Sequence, residues 1–379
     1  MRTSLWITAI FSLLATSPVV AQPDSRPGSP FLNGVDANFS LALSKQGFRW
    51  KADGRDHDLF QALREAGIDS FRVRVRTSDG GPSGRDYAAA IAKKAQDAGL
   101  HPYPVLFLSE NWADYVKQPA PATWQHIPLE QKLAAITAYC ENTARYFRRQ
   151  GVQGDLWEIG NEIDFGICGE FEDDWAKRFN IPYMKRDVWS RAAQVIRAAE
   201  NGVRRVDPHA AFILHLTQWW NPDFCIQFLE TMLDDGAQVD YLGLSFYPSS
   251  GLSKGLSFAD LGDSVAKIVH ETGRPIILCE YAYPSLPTFK GQFATWNHEV
   301  PGYPLSEAGQ KAWIAGLLTF CRHQPSIRGA FYWSPEWYPE EMWKAFALFR
   351  DDGTAKAGLA GFRDVHGTTQ GAIKEESPE

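Results

Sequence analysis

Two glutamates in this chain have neighbours that could divide the labour of an acid and a base between them. Glu162 closes the run Trp157-Glu158-Ile159-Gly160-Asn161-Glu162, and Glu280 follows the apolar run Pro275–Cys279. Two carboxyls that share a site repel as anions, so one of them is driven to keep its proton. Such a pair can protonate a leaving oxygen with one member and attack carbon with the other, which is what cleavage of a glycosidic bond requires. The ionised member needs a cation beside it. Arg72, Arg74 and Arg76 alternate along Ser70–Arg76 and share one strand face. His215, Tyr247 and Trp333 stand at or just beyond the ends of three other apolar runs. The chain has 14 tryptophans, and an indole ring offers a sugar a flat apolar platform.

These groups lie far apart in sequence, so a fold must gather them. Eight short apolar or β-branched runs read as strands: Leu32–Ala37, Ser70–Arg76, Pro102–Leu108, Asp155–Gly160, Ala211–Leu216, Tyr241–Phe246, Pro275–Cys279 and Gly329–Trp333. Stretches of helical period fall between them, among them Leu59–Ala66, Tyr87–Ala98, Leu129–Arg148, Val188–Val206, Phe258–Glu271 and Glu307–Cys321. Eight strand-then-helix units predict an α/β fold, a closed (β/α)8 TIM barrel, whose active site lies at the C-terminal strand ends. A doubly wound open sheet is the alternative, but Asn38-Phe39-Ser40 follows the first strand where a Gly-rich phosphate loop would stand. In the barrel, Glu162 after the fourth strand faces Glu280 after the seventh.

Composition narrows the partners. The formal net charge is −7 and the basic residues are scattered, which argues against a nucleic-acid partner. Residues 1–21 read as a signal peptide: Arg2, the apolar run Leu5–Leu14, then Val19-Val20-Ala21 as a small-residue cleavage site. That run is too short to span a membrane, so a secreted protein, periplasmic or extracellular, is expected. Residues 22–30 form a Pro/Gly/Ser-rich linker, 31–364 a single catalytic domain and 365–379 a polar tail. Cys140, Cys168, Cys225, Cys279 and Cys321 show no zinc spacing, and their odd number leaves at least one thiol free or paired between chains. No cofactor, metal or membrane partner is expected, and a monomer is.

Motif by motif, the chain resembles glycoside hydrolase family 53, the endo-β-1,4-galactanases, within the large clan of retaining (β/α)8 hydrolases. The resemblance rests on Gly34-Val35-Asp36; on Gly67-Ile68-Asp69-Ser70-Phe71-Arg72-Val73-Arg74; on Asp79-Gly80 with Asp86-Tyr87; on Ser109-Glu110-Asn111-Trp112-Ala113-Asp114; on Ile159-Gly160-Asn161-Glu162-Ile163; on Ser245-Phe246-Tyr247-Pro248; on Gly309-Gln310; and on Phe331-Tyr332-Trp333-Ser334-Pro335-Glu336-Trp337. It covers nearly the whole chain after residue 30. Three stretches depart from the family: Val105-Leu106-Phe107-Leu108, where a His becomes Phe107; Asp164–Gly169 after Glu162; and Cys279-Glu280-Tyr281-Ala282-Tyr283-Pro284.

The resemblance implies the roles. Glu162 is the acid/base and Glu280 the nucleophile, with carboxyls about 5–5.5 Å apart. Asn161 bonds the sugar 2-hydroxyl, and Arg72 and Tyr247 hold Glu280 ionised; strand alternation, apart from the resemblance, leaves one of the other two arginines available to pair with Glu158. Trp333 and Trp112 stack on sugar rings in an open groove, His215 supports the acid/base, and Asp36 and Asp114 are polar floor or rim groups. The implied partner is a polysaccharide or oligosaccharide, β-1,4-galactan first. Another retaining endo-glycanase on the same frame, or a non-catalytic carbohydrate-binding barrel, remains the competing reading.

Overall fold

A computed structural model of the chain describes residues 30–363, apart from 53, 79–80 and 252–255. The expected signal peptide, the linker short of its last residue, the Asp79-Gly80 motif and the tail lie outside the described residues.

Eight parallel strands close into a barrel: β1 (Leu32–Asp36), β2 (Ser70–Val75), β3 (His101–Leu106), β4 (Leu156–Ile159), β5 (Ala211–Leu216), β6 (Tyr241–Phe246), β7 (Ile276–Tyr281) and β8 (Ile327–Trp333). Each pairs with its neighbours in chain order, and β1 closes the ring against β8, with Asp36 opposite Trp333. Each of the first seven strands is followed by a main helix: α1 (Leu59–Glu65), α2 (Arg85–Asp97), α3 (Leu129–Arg149), α4 (Ser190–Arg204), α5 (Pro222–Asp234), α6 (Phe258–Thr272) and α7 (Glu307–His323). The 3₁₀ segment Ala357–Phe362 takes the eighth helical position and packs on α7.

Local chemistry sets the helix ends. Ser257 and Asp260 form a reciprocal capping box at the start of α6, and Gly273 ends it at φ 67°. Asn221 caps α5 ahead of Pro222, a residue suited to the first turn because its missing N–H would be unpaired there. Longer α3 lies tight against α4: a Cβ on Gly202 would sit 2.4 Å from the Thr137 carbonyl oxygen.

The barrel interior is a packed core. Tyr103, Val105, Phe107, Ile213, Ile277, Cys279 and Phe331 form one buried cluster, while a larger one fills the space between strands and helices. Gly34 on β1 leaves room for the Phe331 ring, whose atoms come within 2.1 Å of where its Cβ would be. All five cysteines are buried and unpaired.

One irregularity matters for the site. Between β6 and β7 the register runs Leu244↔Leu278 and then Ser245↔Glu280, so Cys279 is an extra residue in a bulge. A bulge breaks the in-out alternation and re-aims the next side chain. The expected strand Pro275–Cys279 therefore continues as β7 through Glu280 and Tyr281. Gly243 accommodates the bulged Cys279, whose sulfur lies 2.6 Å from its would-be Cβ.

Candidate active site

Arg72 on β2 is the hub of the barrel mouth and is fully buried. Its Nη1 donates to Glu280 Oε1 at 2.7 Å and to Asp36 Oδ2 at 2.9 Å. Nε and Nη2 form a fork on Glu158 at 2.9 and 2.5 Å, and Nη2 also donates to Asn161 Oδ1 at 2.7 Å. The expected pairing of Glu158 with another of the three arginines is not what forms, because the fork of Arg72 takes both its oxygens. Arg74 instead reaches Asp36 Oδ1 at 3.1 Å and lies over the rings of Phe39, Trp112 and Trp333 at 4.6, 5.4 and 5.7 Å. Burial alone would raise the Glu158 pKa, but Arg72, helped by His215, holds it down to about 2.

Glu280 receives a second hydrogen bond on its other oxygen, from the Tyr247 hydroxyl at 2.9 Å. Glu162 lies in different surroundings. Its Oε1 accepts from the Ser245 hydroxyl at 2.6 Å, and among the described residues no ion pair reaches it. Burial raises its pKa well above the usual range, and the charges of Glu280 and Asp114 push the same way. Burial raises Glu280 as well, but there Arg72 pulls in the opposite direction, helped by the Tyr247 bond. The two carboxyls thus differ in their neighbours: a guanidinium on one, a lone hydroxyl on the other.

The backbone under Glu162 is pinned. Glu162 has φ 49°, a left-handed conformation that costs a non-glycine residue on the order of 1–3 kcal/mol and persists only where surroundings enforce it. Gly160 N donates to Leu106 O, Ile163 N to His215 O, and the Gln118 amide to the carbonyls of Asn161 and Glu162 at 2.7 and 3.3 Å. Ile163 leads into Asp164, whose carboxylate accepts from Thr217 N and Oγ1 while burial moves its pKa to about 6.

The other site candidates fall as follows. Asn161 accepts from Arg72 through Oδ1 and donates through Nδ2 to Ala113 O at 3.0 Å. His215 bridges Glu158 and Ser245, with Nδ1 3.0 Å from Glu158 Oε1 and Nε2 2.9 Å from Ser245 Oγ, so it meets Glu162 only through that serine. Asp36 sits on the floor between two arginines. Trp112 and Trp333 meet edge to face at 6.0 Å, Trp333 being 6% exposed and Trp112 half-buried. Asp114 is engaged with the Trp112 indole N–H at 2.9 Å and with the turn amides of Val116 and Lys117. Phe107, in the departing third-strand segment, is buried against Trp112.

Sequence reading missed Ser245 and Gln118. For Ser245 a signal existed: it opens the Ser245-Phe246-Tyr247-Pro248 motif at the end of the sixth strand. Glu158, His215 and Cys279 bring three potential metal-ligand atoms within 4.8 Å of one another. A cation there would meet the Arg72 charge already bonded to both Glu158 oxygens, so the chemistry of the cluster is that of an ion pair.

The pattern of glycosyl hydrolase family 53 matches residues 32–366. The chain belongs to that family. This family 53 chain is 29% identical over 345 residues to an arabinogalactan endo-beta-1,4-galactanase of Humicola insolens, covering 88% of the chain and 98% of that protein. An endo-beta-1,4-galactanase of Bacillus subtilis is 25% identical over 328 residues, covering 82% of the chain and 71% of that protein. Among solved structures, the family 53 catalytic domain of Ignisphaera aggregans superposes with a TM-score of 0.75 at 25% identity, covering 89% of this chain and 98% of that one. A fungal beta-1,4-galactanase also gives 0.75, at 26% identity over 88% and 99% of the two chains. The chain is a glycoside hydrolase built on a single (β/α)8 barrel. Among the described residues, no helix is long and apolar enough to cross a membrane.

Proposed function

We propose that this family 53 hydrolase cuts β-1,4-galactan internally, by double displacement with net retention, Glu162 serving as acid/base and Glu280 as nucleophile. The observation that carries the assignment is the unequal pairing of the two carboxyls. Glu280 is ion-paired to Arg72 and bonded to Tyr247, as suits a group that must attack as an anion. Glu162 is buried with one hydroxyl partner, as suits a group that must hold a proton near neutral pH. In the first step Glu280 attacks the anomeric carbon while Glu162 passes its proton to the leaving oxygen. In the second, Glu162 takes a proton from water, which displaces Glu280. Trp112 and Trp333 supply ring faces at the mouth, and Asn161, fixed by Arg72 and Ala113, is the group that hydrogen-bonds the sugar 2-hydroxyl.

The galactan assignment draws on relatives named as galactanases, and the amino-terminal pattern of residues 1–21 supports export to the periplasm or medium. Reducing-end release on galactan, arabinogalactan, mannan and xylan tests the reading, with the product anomer followed by NMR. Galactan cleaved to oligosaccharides with the β-anomer formed first is the expected result. Preference for another glycan would refute the substrate, and the α-anomer first would refute the mechanism.

A further inference from the structure

The segment between β4 and α4 also shapes a patch of surface. Among the described residues, four large hydrophobic side chains are strongly exposed: Val116, Trp175, Phe179 and Leu286. Two of them, Trp175 at 53% and Phe179 at 51%, lie in this segment, and Val116 is tied to it by a hydrogen bond. Trp175 and Phe179 both pack on Phe165, and Arg178 joins Val116 to them, so three of the four form one patch, and a contiguous exposed apolar patch marks a binding site.

Beneath Trp175 lies an unusual support. The Arg178 guanidinium is 3.8 Å from the centre of the Trp175 ring and 4.8 Å from those of Phe165 and Phe171, and it is almost fully buried. Burying a charge this way is unfavourable unless its donors are used. They are: Nε donates to Glu172 O at 2.8 Å, Nη1 to Tyr115 O and Nη2 to Val116 O, both at 3.0 Å. Tyr115 adds an edge contact to the indole at 6.3 Å, and Phe165 another at 6.1 Å. A buried arginine thus fixes the plane of an indole that itself remains more than half in solvent. Such a support adds little to a core. It does prepare a rigid plate whose ordering entropy is already spent before a ligand arrives.

The plate is coupled to the chemistry through one loop. Arg178 holds the carbonyls of Tyr115 and Val116, while Gln118, two residues on, holds the carbonyls of Asn161 and Glu162 and receives Gly169 N on its own carbonyl. Trp333, by contrast, is on β8, beside the strand that carries Glu280. An acid/base faces the departing sugar, so a plate joined to the Glu162 side lies along the leaving half of the substrate. In a β-galactopyranose the axial 4-hydroxyl points to one face and leaves the other with ring C–H groups, which suit an aromatic plate.

We propose that Trp175, clamped by Arg178, is a sugar-stacking subsite on the leaving-group side of Glu162 that binds the continuing neutral galactan chain. The proposal rests on the endo-galactanase reading. It is tested by comparing the parent and Trp175→Ala on polymeric galactan and on an aryl β-galactobioside, whose leaving group ends at the aryl ring. The ratio of kcat/KM for polymer to that for the aryl substrate is expected to fall about five- to tenfold in Trp175→Ala, through KM, and to recover in part in Trp175→Phe. An unchanged ratio overturns the subsite. So does an unchanged ratio together with loss of a parent dimer by light scattering, which would make the patch a contact between copies. Failure of the parent itself to release sugar from galactan refutes the substrate reading instead, and the same ratio on the glycan it does cleave then tests the plate.

Discussion

Replacing Tyr247 by Phe removes the hydroxyl that donates to Glu280 and leaves the ring among Trp296 and Trp343. The lost bond, 2.9 Å to Glu280 Oε2, matters most when Glu280 carries charge. A hydrogen bond to a charged group contributes about 1.5–3 kcal/mol and a neutral one about 0.5–1.5 kcal/mol. In the covalent intermediate Glu280 is a neutral ester, and its charge returns as water displaces it. Tyr247 therefore stabilises the second transition state over the intermediate by the difference, about 1–1.5 kcal/mol, or roughly five- to tenfold in rate. Stopped-flow on an activated aryl β-galactobioside should show a burst of aryl release followed by slow turnover, with kcat and KM both reduced. The acid limb of kcat/KM should move to higher pH, because a bond that favours ionised Glu280 in the free enzyme is gone. A variant with kcat within about twofold of the parent, no burst and an unmoved acid limb would refute the placement of Tyr247 on the nucleophile.

Ser245→Ala removes a bond that favours ionised Glu162, so the alkaline limb of kcat/KM on galactan should shift to higher pH; a shift to lower pH would mean that Ser245 does not act on the acid. Glu336 is fully buried, accepts from Phe39 N through one oxygen, and is pushed up to about 8 by burial. Folded protein keeps its proton where the unfolded chain has lost it, so this group's contribution to stability is present at low pH and falls as pH rises towards 8. Glu336→Gln, permanently neutral, should melt like the parent at pH 5 and several degrees higher at pH 8; equal melting temperatures at pH 8 would show Glu336 to be ionised in the folded state.

Much of the barrel was legible because its strands are short β-branched or apolar runs spaced by helical periods, and barrel topology follows from their count. The strand ends were less so. β7 runs on to Tyr281 because the bulge at Cys279 is set by pairing with β6 and by the space at Gly243, neither of which is local in sequence. The strand pairs Trp50–Ala52 with Arg55–His57 and Gly166–Ile167 with Glu170–Phe171 are too brief for a periodic signal. In the site, residue types pointed to Glu162, Glu280 and the arginine row, since strand alternation puts Arg72, Arg74 and Arg76 on one face. The resemblance supplied Arg72 for Glu280, but that the same guanidinium also takes Asp36 and Glu158 was not readable, because it depends on the three-dimensional positions of those carboxylates. Arg178 under Trp175 was equally hidden, because its partners come from two loops.

The account stands on Glu280 as the group that bonds to sugar. A 2-deoxy-2-fluoro aryl β-galactobioside slows both steps and, with its good leaving group, lets the glycosyl-enzyme accumulate. Peptide mass spectrometry of the inactivated enzyme should find the fluorosugar on the peptide containing Glu280, at that residue, with Glu162 unmodified. A label on Glu162, or steady turnover with no adduct and an inverted product, would contradict the account.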